Sequence, residues 1–344
     1  MQSPLRRDGA NPILTADSFA PDCVLVSNPG VAVLGDTLLM AIRVDHGRVA
    51  DPNIDGTTIA FASSPDDGTT WTLDAVPAID RVAALEILVP AEPHRDLADE
   101  LWRVYDPRLT SIEVDGSTQL ALCLAVDTTH GLRPALLTSP DARTWRCRYL
   151  GPPDDRNHVV FPERVDGSWW RLTRPMHDYG GPALGAGRYE IWVQRSPDLE
   201  HWGHDRVVLD PDRLGAAHVK IGPGPPPVRT PAGWLCLTHL VSTAGSPDRR
   251  GWEERWDKTY TIGAMLLDLD DPSRLLAVAP ASLLEPTAPY ERTGYRHDVV
   301  FATGCHLRGD TLDVYYGAAD TVVARASAAV EEIVEFVLSG RRSD

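Results

Sequence analysis

The sequence predicts an all-β chain folded as a five-bladed β-propeller with a central active-site cavity, and three observations predict it. A unit of a turn, an apolar strand and a polar strand end recurs five times along the 344 residues. The copies begin roughly 50–80 residues apart, a blade-sized interval for a repeat architecture. Between them lie short strands, turn signals and 29 prolines, without the strand–helix alternation of a parallel sheet.

Taken in order, the units run from Gly35-Asp36-Thr37 to Arg43, from Gly116-Ser117-Thr118 to Asp127 and from Gly167-Ser168 to Arg174. The last two run from Gly233 to His239 and from Gly309-Asp310-Thr311 to Asp320. In a ring of similar blades these five polar ends converge on one cavity. A second repeat interleaves with the first: Ser64-Pro65-Asp66 leads to Trp71, Ser139-Pro140-Asp141 to Trp145, and Ser196-Pro197-Asp198 to Trp202. Proline beside aspartate is β-turn chemistry, and each tryptophan is expected to pack back between blades. A fourth, divergent copy ends at Pro272-Ser273, and the fifth follows Asp320. Only residues 95–102 and 327–338 read as helical; the latter has apolar residues at helical spacing and caps the last blade. No linker interrupts the pattern. Residues 1–344 therefore read as a single catalytic domain with a short C-terminal helix near 327–338, a pair of β-sandwiches being the competing arrangement.

Bulk composition narrows the function. With 33 Lys+Arg against 49 Asp+Glu the net charge is −16, which repels nucleic acid and anionic membranes. The five cysteines are scattered with no CxxC pair, so neither a disulfide framework nor a zinc site is indicated. Cys123 and Cys236 sit in apolar strand runs as small hydrophobic residues. No apolar segment follows the N-terminal arginines, and no run reaches the roughly 18–20 residues that span a bilayer. A soluble, cytoplasmic protein is the expectation. Three polar insertions stand out, at 45–56, 176–188 and 243–258. The third carries Trp252 and Trp256 and reads either as a solvated loop or as a rim loop that stacks a sugar ring.

Three constellations carry chemistry. Tyr105-Asp106-Pro107-Arg108 precedes the second blade's strand. The proline is expected to hold Asp106 extended, where its carboxylate could cap a turn or act as a general acid. Arg156-Asn157 precedes Arg171 and Arg174. Lys220 precedes a Gly-Pro run, expected to form a rigid loop, and His239 follows. Singly, each cation reads as solvated or salt-bridged. Gathered in a chain of charge −16, they are candidates for an oxyanion pocket of Arg forks and a Lys point charge. His177-Asp178 and His297-Asp298 lack a third partner at ligand spacing, so no metal is expected.

In order and spacing, the segments SNPG (27–30), AIR (41–43), YDPR (105–108), RN…FPE (156–163), LTRP (172–175) and KIGPGPPP (220–227) form one pattern. GW…H (233–239), LLDLDDPS (266–273), YE…VVFATG (290–304) and YYGAAD (315–320) continue it. Over residues 12–335 the chain resembles glycoside hydrolase family 130, the β-mannoside phosphorylases and related β-mannosidases. The resemblance implies a five-bladed propeller and inverting phosphorolysis of a β-mannoside to α-mannose 1-phosphate. It implies Asp106 as general acid, with the proton passing through the mannose 3-hydroxyl in part of the family. It implies phosphate binding by Arg156, Asn157, Arg174, Lys220 and His239, and mannosyl contacts from Asn28, Arg43, Tyr105 and Asp320. Inorganic phosphate is then a co-substrate, no cofactor is needed, and a homo-oligomer is allowed. Two departures stand out. Thr238 and Leu240 flank His239 where the family has Tyr and Gly. Asp298 replaces an asparagine, and it is expected near the substrate.

The chemistry points the same way. An inverting hydrolase needs two carboxylates, one acid and one base for water. A phosphorylase needs one acid and a pocket for a dianion. Asp298 or Glu163 as a second carboxylate would favour a β-mannosidase using water. A non-catalytic carbohydrate-binding propeller is the reading from another class. Acceptor sugar and linkage depend on loops where the resemblance is weakest.

Overall fold

Five antiparallel sheets follow one another along the chain, in a computed structural model that describes residues 2–19, 21–47, 54–73, 76, 78–93, 96–176, 189–214, 218–243 and 258–340. Blade one comprises Cys23–Leu34, Thr37–Gly47, Ile54–Ser64 and Thr72–Leu73; blade two comprises Leu101–Val114, Ser117–Thr128, Gly131–Ser139 and Arg146–Leu150. Blade three comprises Asp155–Val160, Trp169–Pro175, Ile191–Ser196 and Gly203–Leu209. Blade four takes His218–Pro223, Gly233–Thr243, Lys258–Leu267 and Leu275–Val278, with Val228–Thr230 paired beside the first of these on Gly233–Thr243. Blade five takes Val300–Arg308, Thr311–Ala318 and Val322–Ala329, and its outermost strand is the N-terminal Arg6–Arg7. This is the expected five-bladed propeller.

Local chemistry explains the sheets. At Asp115-Gly116 and Asp166-Gly167 both residues have positive φ (51° and 76°; 49° and 70°), the two-residue hairpin turn that matches strand twist. In each Ser-Pro-Asp turn the aspartate accepts backbone amides; Asp141 Oδ1, for example, takes Arg143 N at 2.8 Å and Thr144 N at 2.7 Å. The tryptophans then pack on the preceding blade, as expected. Trp145 stacks on Phe61 of blade one, Trp71 meets Tyr315 of blade five edge-on, and Trp202 joins the cluster of Ile112, Ala121 and Cys123 in blade two. The core is accordingly a set of apolar layers between neighbouring blades rather than one central mass.

The helices differ from expectation. Residues 327–329 continue the strand Val322–Ala329, paired with Thr311–Ala318, so the C-terminal helix is Val330–Leu338. The stretch 95–102 yields only Leu97–Glu100 before the long strand begins at Leu101. An unexpected helix, Arg81–Leu88, fills the connection between blades one and two. Asp80 caps it by accepting the Ala83 amide, and Ala84 and Leu88 are buried one turn apart.

The ring is closed by the N-terminal strand and one buried carboxylate. Arg7 pairs in register with Ala326, and its guanidinium forks onto Glu291 at 2.7 and 2.8 Å. Glu291 is 0% exposed and also accepts Tyr316 Oη at 2.9 Å and the amides of Thr287 and Ala288 at 2.8 and 2.9 Å. Arg7→Met leaves a buried charge short of its counter-ion, which should cost about 2–3 kcal/mol, at or just below the range for broken buried pairs because Arg7 is partly exposed. The expected result is a lower urea midpoint; an unchanged midpoint would show that this closure adds nothing to stability.

Candidate active site

All five blades contribute to a cavity of about 110 Å³. Its lining is Asn28 and Arg43, then Tyr105 and Asp106, then Arg156, Asn157 and Arg174, then Lys220, His239 and Tyr260, and finally Val299, Phe301 and Asp320. Four of the five polar residues expected at strand ends therefore meet there: Arg43 and His239, which lie inside the strands Thr37–Gly47 and Gly233–Thr243 rather than at their ends, and Arg174 and Asp320. Asp127 does not. It pairs with Arg103 Nε at 2.8 Å, and that guanidinium covers the Tyr105 ring at 4.7 Å.

The first strands of blades one, two and three deliver their residues by the same device. The register breaks between Ser27 and Gly30, between Tyr105 and Arg108, and between Arg156 and Val159. At each break one Asx residue takes a left-handed backbone: Asn28 at φ 52°, Asp106 at 53° and Asn157 at 59°. Asn and Asp tolerate this conformation, and a bulge turns a side chain that would otherwise follow the pleat. This corrects two expectations. Asp106 is not extended before its proline, and it lies inside the strand Leu101–Val114 rather than in a loop. Lys220 likewise lies in the strand His218–Pro223, and the Gly-Pro run starts only after it. Space for the side chains comes from glycine. A Cβ on Gly317 would stand 2.2 Å from Asn28 Oδ1, and one on Gly222 would stand 2.3 Å from the His239 ring.

One side of the cavity is built around a carboxylate. Asp106 Oδ1 accepts Asn28 Nδ2 at 2.7 Å and Arg43 Nη1 at 3.3 Å, while Oδ2 accepts Arg156 Nη2 at 3.4 Å. Arg43 is fixed from behind by Asp45 at 2.9 Å, which in turn accepts Thr57 Oγ1 at 2.7 Å. Burial works against a charged Asp106, but Arg43, Arg156 and Asn28 outweigh it and hold the group below the usual carboxylate range. Asp320 goes the other way: burial raises it, with Asp106 adding repulsion and Arg43 only partly offsetting both.

The other side is cationic. Arg174 Nη1 lies 3.3 Å from His239 Nε2, and Asn157 Nδ2 lies 3.5 Å from the same nitrogen. Nδ1 of His239 is 3.2 Å from the Pro223 carbonyl, to which it donates, so Nε2 is the acceptor. Burial and then Arg174 push His239 well below the ordinary histidine range. Burial and then Arg174 and Arg156 do the same to Lys220, whose Nζ sits 5.2 Å from the Tyr260 ring centroid. Arg174 itself falls to about 9 through burial and the neighbouring Arg156. Among the described residues, Nε of both Arg156 and Arg174 is buried without an acceptor. Cations crowded together against mutual repulsion, with donors unsatisfied, are arranged for an anion.

Asp298 is not among the lining residues. It faces Arg292 at 3.5 Å, and its carbonyl accepts the Tyr260 amide. Glu163 is exposed and pairs with Arg229 at 2.9 Å. Neither supplies a second carboxylate to the cavity. Trp252, Trp256 and the His177-Asp178 pair lie outside the described residues. The sequence alone does not single out Tyr260, Val299 and Phe301 as lining residues. Phe301 stood in a quoted motif, whereas Tyr260 reads as one more alternating strand residue.

The fold and cavity thus define a propeller protein whose cavity sets two carboxylates, Asp106 and Asp320, beside a cluster of cations. Residues 15–339 match the family model of glycoside hydrolase family 130, described as beta-1,4-mannooligosaccharide phosphorylase, and the chain belongs to that family. It is 33% identical over 273 residues to a beta-1,2-mannobiose phosphorylase of Listeria innocua, an alignment covering 78% of this chain and 65% of that protein's length. It is 30% identical to a beta-1,4-mannooligosaccharide phosphorylase of Ruminococcus albus, covering 79% of this chain and 74% of the relative. A solved structure of beta-1,2-mannobiose phosphorylase from Listeria innocua with beta-1,2-mannobiose superposes with a TM-score of 0.76. That superposition has 25% identity and covers 97% of this chain and 99% of the other.

Proposed function

We propose that the chain is an inverting β-mannoside phosphorylase that transfers a mannosyl unit to inorganic phosphate. The observation that carries the reading is the pairing of one acid, Asp106, with the cluster Arg156, Asn157, Arg174, Lys220 and His239. The relatives' names agree with the reaction. Among the described residues, the lining's other carboxylate is Asp320, which acts on Arg43 beside Asp106 and on Tyr260.

In this mechanism HPO₄²⁻ binds among the cations and attacks the anomeric carbon from the face opposite the leaving oxygen. Asp106 gives its proton to that oxygen, through the mannose 3-hydroxyl in the manner of part of the family. Asn28, Arg43, Tyr105 and Asp320 hold the mannosyl ring. The C–O bond to the leaving sugar breaks as the bond to phosphate forms with inversion. The product monoanion returns a proton to Asp106, so protons balance over a turnover.

The ionised state of Asp106 without phosphate fits this scheme. Arg156 contacts Asp106 Oδ2 and also lines the anion pocket. A dianion that draws on Arg156 weakens its hold on the carboxylate. The same negative charge raises Lys220 and His239, both depressed in the free protein. All three shifts run upward, so anion binding takes up protons. Calorimetry with sulfate, which does not titrate near neutrality, in buffers of different ionisation enthalpy should give net proton uptake at pH 7–8. Zero uptake would contradict the coupling.

The reading itself is tested by the reverse reaction. Mannose 1-phosphate supplied with glucose, N-acetylglucosamine, mannose and manno-oligosaccharides should release phosphate with at least one acceptor. The linkage formed, β-1,2 or β-1,4, identifies the natural substrate. Binding of mannosides without synthesis or cleavage would instead support a non-catalytic propeller.

A further inference from the structure

We infer that Arg108 is a positioning residue that ties the acid to the phosphate pocket across the ring, an inference that rests on the phosphorylase reading. Arg108 is 2% exposed and does not line the cavity. It stands two residues beyond Asp106 in blade two, yet it reaches the end of the strand His218–Pro223 and the following Gly224 in blade four, which is not its neighbour. Its Nη1 donates to the Asp106 carbonyl at 3.4 Å, Nη2 to the Pro223 carbonyl at 3.3 Å and Nε to the Gly224 carbonyl at 3.0 Å. The Pro223 carbonyl is also the acceptor that fixes His239 Nδ1–H and leaves Nε2 facing Arg174 and Asn157. One guanidinium therefore braces the backbone of the acid and the carbonyl that sets the histidine's tautomer.

Two features make this more than a core contact. The hydrogen-bond partners of Arg108 are carbonyls rather than a carboxylate, so no ion pair holds its charge, although burial, which lowers the group to about 10, is partly offset by the nearby Asp106. Arg108 helps lower both Asp106 and His239, though other groups act more strongly on each. The packing around the brace also leaves little slack. Phe301 lies 5.7 Å below the guanidinium and 4.8 Å from the His239 ring. A Cβ on Gly224 would meet the Leu237 carbonyl oxygen at 2.9 Å. A change at Arg108 therefore acts on the backbone of the acid and on the phosphate-side histidine together, while its own hydrogen bonds go to the carbonyls of Asp106, Pro223 and Gly224 and not to the sugar contacts Asn28 and Asp320.

Arg108→Lys keeps the charge but replaces a three-carbonyl fork by one ammonium; Arg108→Met removes both. Each is assayed for phosphorolysis of a β-mannobiose, with phosphate and mannoside varied separately and pH scanned, and folding is checked by thermal melting. We expect the phosphate KM to rise about 10-fold in Arg108→Lys, and kcat/KM for phosphate to fall at least about 1000-fold in Arg108→Met. The mannoside KM should stay within threefold, and the basic limb of the kcat profile should move upward only when the charge is lost. Unchanged phosphate kinetics in Arg108→Lys, or mannoside and phosphate KM rising in parallel, would overturn the inference. If Arg108→Met does not fold, the lysine variant decides alone. A wild type that turns over without phosphate would sink the phosphorylase reading, whereas a phosphate-dependent wild type matched by both variants would sink only the role of Arg108.

Discussion

Asp106→Asn should lower phosphorolysis of a natural β-mannoside by about 1000- to 10,000-fold, the upper part of the range for a lost general acid. The substitution keeps the shape of the side chain, and its amide oxygen can still accept from Asn28 and Arg43, which hold Oδ1 at 2.7 and 3.3 Å. The mannoside KM should therefore change by less than about threefold. A nitrophenyl β-mannoside, whose leaving group needs no proton, should recover most of the lost rate. That recovery separates a lost acid from a damaged pocket. Undiminished turnover of the natural substrate would remove Asp106 from the chemistry.

The second large effect is expected at Arg174. This guanidinium is buried, close to His239, and depressed to about 9 by burial and by Arg156. Without phosphate it destabilises its surroundings; with phosphate it supplies a charge-assisted bond worth roughly 1.5–3 kcal/mol. Arg174→Met should then raise the phosphate KM about 10- to 100-fold. In phosphate-free buffer its melting temperature should equal or exceed that of the wild type. Added phosphate should stabilise the wild type markedly and the variant little, because stabilisation follows ligand concentration over Kd. A variant with an unchanged phosphate KM would remove Arg174 from the anion site.

Most of the architecture was legible because it rests on repeated local chemistry. Hairpin glycines, Ser-Pro-Asp turns and tryptophans recur at blade spacing, and Arg43, Arg174, His239 and Asp320 stand out as polar residues closing apolar runs. The bulges were not legible. Proline after Asp106 argues for an extended residue on local grounds, whereas the structure uses the left-handed conformation at Asn28, Asp106 and Asn157 to turn three side chains inward. Lys220 was misplaced for a related reason. The Gly-Pro run begins only at its end of the strand, and density of turn residues hides a strand of six. The helix Arg81–Leu88 carries two buried residues one turn apart, too few for a clear period. Asp298 and Glu163 show the limit of composition. Both are carboxylates beside motif residues, and only their ion pairs with Arg292 and Arg229 reveal that they face elsewhere.

Phosphate is the nucleophile of the proposed reaction, and one experiment tests that directly. The protein is incubated with β-1,2- and β-1,4-linked manno-oligosaccharides, with and without inorganic phosphate, and followed by ³¹P and ¹H NMR. The expected result is α-mannose 1-phosphate formed in step with phosphate consumed, from at least one linkage, and no cleavage in phosphate-free buffer. Free mannose released at the same rate without phosphate would contradict it.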